Sequence, residues 1–137
     1  MLDACYYALP LMLCLNSAQA ATLTVSLDGA KTGGGPLTVL LFDQADGFPR
    51  ESSASSRHVL AKGQTTLNLD GLKPGQYAVM AYHDEDGNGE LNRFLGMIPR
   101  EGWGLSNNPA VSGKPAFKDA AVNVPEHGTA VTLRLKY

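Results

Sequence analysis

The chain has 137 residues, 11 basic against 13 acidic, and a formal net charge of −2. That length suits one domain with its own core, and so balanced a charge gives no electrostatic case for nucleic acid or an anionic lipid surface as partner. Both cysteines, Cys5 and Cys14, fall near the N-terminus, so the rest of the chain has no thiol for a disulfide, a nucleophile or a zinc site.

Residues 1–20, "MLDACYYALPLMLCLNSAQA", combine an apolar stretch from Ala8 to Leu15 with small residues at Ala18 and Ala20. This is the pattern of a secretory signal with an A-x-A-like cleavage site. Asp3 and the lack of Lys or Arg depart from the usual basic start. As a membrane anchor the apolar stretch is short of the roughly 20 residues a spanning helix needs, and Cys14, following "LPLML", does not suit a lipid anchor. The expectation is a signal peptide at 1–20 and an exported domain at 21–137, periplasmic or secreted, with no membrane anchor after cleavage. Losing Asp3 moves the charge to −1.

From there the chain reads as short alternating segments divided by turn residues. "TLTVSLDG" puts Leu23, Val25 and Leu27 on one face, and "KTGGGP" separates it from "LTVLLFD". Residues 43 to 56 read as a polar loop, followed by short strands in "RHVLAKG" and "TTLNLDGL". "QYAVMAYHD" is apolar on both faces and is the natural central strand. Residues 84–118 are rich in Gly and Pro with little periodicity, too long to be a structureless loop in a compact domain. "DAAVNVP" and "TAVTLRLKY" read as closing strands, the latter with Val131, Leu133, Leu135 and Tyr137 inward. The fold class expected is all-β: a single antiparallel Greek-key β-sandwich (prealbumin/Ig-like) of about seven strands with one long Gly/Pro-rich loop.

Three segments, "HDEDGNG" at 83–89, "GMIPREGWGLSN" at 96–107 and "PAFKDA" at 115–120, closely resemble DUF2141, a bacterial family of small exported proteins known as a domain of unknown function. The likeness extends upstream through "LFDQADGFP". Leu105 stands where an aromatic residue is expected before the serine. The resemblance implies an exported β-sandwich and leaves the activity open. A looser similarity is to transthyretin-like and carboxypeptidase-regulatory-like sandwiches, carried by Leu72, Pro74, Gly75 and Tyr77. Here Pro74 presets one torsion and Gly75 supplies the positive φ of a type II turn, after which Tyr77 packs at a sheet corner.

The run "HDEDGNGELN" matches the first six positions of an EF-hand loop with Asp84, Asp86, Asn88 and Gly89. Alternate oxygens on a curling chain suit calcium, with Glu90 and Asn92 beside them. The closing glutamate is replaced by Leu95, which excludes a helix–loop–helix hand and requires a remote residue: Asn92, Glu101, Asp119, Asp43 or Asp46. Against a metal loop stands a solvated β-turn, since Asp-Gly and Asn-Gly are strong turn formers without any ion.

His83 has three readings: zinc ligand, acid/base partner of Asp84, or histidine hydrogen-bonded at a strand end. Trp103 lies between Gly102 and Gly104, as either an exposed stacking platform or a cap on the core. With Glu101, Ser106, Asn107 and Asn108 it makes a candidate surface for a saccharide or peptide. Ser106 lacks the G-x-S-x-G context of a hydrolase nucleophile. The leading expectation is a non-catalytic exported binding or accessory module of the bacterial cell envelope, with a structural calcium loop at 84–92. The alternatives are a metal-dependent hydrolase using His83, Asp84 and Asp86, and a structural assembly subunit.

Overall fold

The computed structural model describes residues 20–30, 35–84, 93–94, 98–99, 102–110 and 115–137. Its strands are β1 (Ala21–Asp28), β2 (Leu37–Phe42), β3 (Ser56–Val59), β4 (Thr66–Leu72), β5 (Gly75–His83), β6 (Arg93–Phe94), β7 (Ile98–Pro99), β8 (Trp103–Leu105), β9 (Val122–Val124) and β10 (Thr129–Arg134). One helical turn, α1 (Phe117–Ala120), and a 3-10 turn at Glu51–Ser53 are the described helical pieces.

Two sheets face each other as a β-sandwich. The smaller has the order β10-β1-β4; the larger has the order β3-β2-β5-β8, with β9 pairing the start of β5. In β1 every second residue is buried, Ala21, Leu23, Val25 and Leu27, as a strand with one face on the core requires. Those residues meet Val39, Leu41, Val79, Ala81, Leu133 and Leu135 between the sheets.

The larger sheet is buried on its other face too, which explains why β2 and β5 are apolar at nearly every position. Leu40, Phe42, Met80 and Tyr82 on that outer face are covered by Phe48, Ala120 and Leu105, with Ala54, Phe117 and Trp103 at the margin. Phe48 is central there, edge-on to Phe42 at 4.8 Å between ring centroids and to Phe117 at 5.7 Å.

Several expectations are corrected. β1 and β10 run parallel, Leu23 opposite Thr129 and Leu27 opposite Leu133, so the sandwich is not wholly antiparallel. "DAAVNVP" begins as α1, and only Val122–Val124 is strand. Tyr137 is 47% exposed, not inward; alternation ends at Leu135, and the last two residues bend to β8. The Gly/Pro-rich stretch contains the β6–β7 pair and β8, a full member of the larger sheet. Gly75 opens β5 at φ 158°, not the roughly +80° of a type II turn. Tyr77 packs at the corner nonetheless, its hydroxyl donating to the Lys73 carbonyl at 2.6 Å.

Candidate functional site

The edge of β5 is shared by two strands: β9 pairs with Gly75–Tyr77, and β8 with Met80–Tyr82. Ser106 fills the gap between them. Its N–H donates to the Val79 carbonyl at 2.9 Å, its hydroxyl accepts the Val79 N–H at 2.9 Å, and that hydroxyl donates to the Ala120 carbonyl. Ser106 is fully buried, so it is not part of a ligand surface.

The next two residues continue the same task. Asn107 and Asn108 adopt left-handed φ values of 67° and 45°, a conformation asparagine tolerates better than most residues. The Asn107 amide donates to the Ala121 carbonyl at 2.7 Å and, more weakly, to Asp119 at 3.4 Å. Asn108 donates to the Thr132 carbonyl at 3.0 Å and accepts the Arg134 N–H at 2.8 Å. Though exposed, both side chains are committed to joining β8, α1, β9 and β10.

At the far end of β5, His83 is 2% exposed. Its Nε2 lies 2.9 Å from the Gly35 carbonyl and its Nδ1 2.7 Å from the Tyr137 hydroxyl. A carbonyl only accepts, so Nε2 carries a proton; in the neutral ring Nδ1 then accepts from Tyr137. No lone pair is left for a metal or a substrate proton without breaking this pair. The Tyr137 ring is edge-on to the imidazole and covers Gly102, where a Cβ would come within 2.3 Å of it. A side chain at 102 would displace the Tyr137 ring from this position.

Asp84 is 3% exposed, with its N–H donating to the Pro36 carbonyl at 2.9 Å. Asp86, Asn88, Glu90, Asn92 and Glu101 lie outside the described residues. Of the remote partners, Asp43 stands at the opposite end of the sheet, following Phe42, which pairs with Ala78, and its charge bears on Tyr77. A strand rises roughly 3.3 Å per residue, which separates that level from Asp84 by about 20 Å. Asp46, in the turn that carries Phe48, belongs to the same far end. Asp119 is tied by Asn107 near the level of Val79, on the order of 15 Å away. These three are therefore ruled out as partners in an ion shell with Asp84. Among the described residues no three His, Asp or Glu side chains gather into a metal-holding group.

The two sheets are joined on one side by Trp103 and Lys136, which exchange backbone hydrogen bonds at 3.0 and 2.8 Å in an antiparallel bridge. Gly104 makes the approach possible, since a Cβ there would stand 2.7 Å from the Arg134 carbonyl oxygen. Over this seam lies a shallow hollow of about 70 Å³ lined by Trp103, Leu105, Asn108, Pro109, Arg134 and Lys136. Trp103 is half-buried, packing against the outer apolar cluster and bordering the hollow with the rest. The indole thus caps part of the outer cluster. Arg134 and Lys136 were not anticipated. The alternation of β10 places Arg134 outward, but nothing in one sequence announces that it and Lys136 flank a tryptophan some thirty residues earlier.

A third polar group sits by β3. Glu51 Oε2 accepts from the Tyr82 hydroxyl at 2.9 Å and from Arg57 Nε at 2.8 Å. The hydrogen bonds to Glu51 and then Tyr82 raise the Arg57 pKa, and burial raises that of Tyr82. The group ties the 3-10 turn to the sheet.

No curated protein and no solved structure matches this chain. The family described as "Uncharacterized protein conserved in bacteria (DUF2141)" matches residues 25–132, from the third buried position of β1 almost to the end of β10. The match spans both sheets, the Ser106–Asn108 splice and the Trp103 seam, and the chain belongs to the DUF2141 family.

Proposed function

We propose that this protein is a non-catalytic binding or accessory module of the bacterial cell envelope, and that it recognises a saccharide or peptide over the Trp103 seam. The observation that carries the reading is the hollow itself. Its volume of about 70 Å³ is far below the roughly 300–1,000 Å³ of pockets that enclose a small substrate. It is instead an open platform, an indole held by backbone bonds on both sides and flanked by two exposed cations. Rigid aromatic anchors with charged neighbours are what surface recognition uses. Export is supported by the signal-like residues 1–20, and no helix among the described residues is long and apolar enough to cross a membrane.

A calcium ion in the 84–92 run belongs to the same proposal as a structural element. What supports it is the oxygen-donor spacing together with the buried, main-chain-anchored Asp84 at the first position. The engagement of both His83 nitrogens speaks against the hydrolase alternative, which needs that imidazole.

The test is co-sedimentation with isolated cell-wall sacculi after confirming by mass spectrometry that the exported chain starts at Ala21. Retention of the wild type, and its loss in Trp103→Ala with the fold intact by circular dichroism, is the expected result. Equal retention of the two proteins would sink the platform, and a chain that stays in the cytoplasm would sink the envelope assignment.

A further inference from the structure

We infer that the ligand of the Trp103 seam is a saccharide bearing a ring carboxylate, of the uronic acid class. The carboxylate sits in the hollow against Arg134 and Lys136, and the sugar ring lies over the exposed part of the indole. The inference rests on the surface-binding reading above and narrows it.

Size is the first reason. The hollow of about 70 Å³ is far smaller than the pockets that enclose a whole small ligand, so only one polar group of a ligand enters it. Charge is the second. Arg134 and Lys136 both border the hollow, and a guanidinium matches a planar carboxylate bidentately.

Arg134 already has one carboxylate neighbour, Asp28, with Nη2 and Oδ2 3.4 Å apart and both side chains largely exposed. Such a pair contributes little. A ligand carboxylate can therefore share or displace it, and Asp28 acts as a weak intramolecular competitor.

The third reason separates sugar from peptide. An extended peptide binds a sheet by adding a strand to a free edge. At the seam β8 has no free edge, because β5 occupies one side and Lys136 the other. Apart from Gly104, the hollow is bordered by residues with side chains, which suits a pyranose whose flat face stacks on an aromatic ring.

Trp103 is the protein's one tryptophan, so intrinsic fluorescence reports the seam alone. The full chain, expressed and exported, is titrated with trigalacturonate, with its methyl ester and with hexaglutamate. The expected result is a saturable Trp103 signal with trigalacturonate, weakened about ten-fold or more by Arg134→Ala or Lys136→Ala and by esterification, as loss of a charged hydrogen bond implies. Asp28→Asn should tighten binding. These three positions are solvent-exposed, so the variants fold, which circular dichroism checks. Equal binding of acid and ester would overturn the carboxylate while leaving the platform standing. Preference for hexaglutamate would overturn the saccharide. No signal with any of the three, from a protein that nonetheless sediments with sacculi through Trp103, would overturn the inference alone; failure of sedimentation too would remove the underlying reading.

Discussion

The hydroxyl of Ser106 stands where a strand backbone would otherwise face Val79, accepting its N–H at 2.9 Å and passing its own proton to the Ala120 carbonyl. One side chain thus satisfies a donor that the change of partner from β9 to β8 leaves open in the sheet, and an acceptor at the end of α1.

Ser106→Ala should therefore destabilise the fold by about 2–4 kcal/mol, because it strands a buried N–H and a buried carbonyl together. Thermal unfolding should show a fall on the order of 10 °C. A change of a degree or two would mean that water replaces the hydroxyl. Binding at the seam should survive wherever the protein remains folded.

Gly104→Ala forces a Cβ to within 2.7 Å of the Arg134 carbonyl. Backbone must move, at a cost of about 1–3 kcal/mol. The movement should be local, so hydrogen exchange at the Trp103 and Lys136 amides should accelerate more than at Val79 or Val25. Uniform acceleration would show that the seam does not open separately.

Burial raises the pKa of Tyr77 above the ordinary 10.0, helped by the charge of Asp43, and burial likewise raises that of Tyr82. A phenol that holds its proton longer folded than unfolded contributes stability that is fully present below the unfolded pKa of 10.0 and is lost as pH rises through the folded value. Stability should thus decline above pH 10.0 along with phenolate absorbance, and Tyr82→Phe should make that decline shallower. An identical alkaline limb in the variant would remove Tyr82 from the account.

For the acidic run, the expected result is calcium-selective stabilisation. An ion at 100 times its Kd adds about 2.7 kcal/mol, a rise of several degrees over the EDTA-treated protein, abolished in the Asp84→Asn, Asp86→Asn double variant. If calcium, magnesium and EDTA give one melting temperature, the run is a turn and nothing more.

Much of the sandwich is legible in the sequence because period-two burial writes itself into composition. Leu23, Val25 and Leu27 alternate, and the two-sided burial of β5 leaves "YAVMAY" apolar throughout. β8 is not legible in that way: three residues cannot display a period, and its glycines, which read as loop, are there to let Tyr137 and Arg134 approach. Nor are the roles of Ser106, Asn107 and Asn108. A polar side chain that will bind a ligand and one that will replace a missing strand are the same residue types, and only their partners in space distinguish them. The parallel partner of β1 was hidden for a related reason, since alternation reveals which face of a strand is buried but never the direction of its neighbour.

The pairing of β1 with β10 also constrains how the protein comes to be folded. Leu23 and Thr129 belong to opposite ends of the domain, and bringing them together requires closing nearly the whole chain into a loop before any ladder bond repays that entropy. Until β10 is available, β1 has only β4 beside it and the inner faces of both sheets lack their floor at Leu133 and Leu135. The core between the sheets is therefore incomplete until β10 joins β1. Pairing of β10 with β1 is the long-range step that completes the core, and contacts so far apart in sequence form slowly.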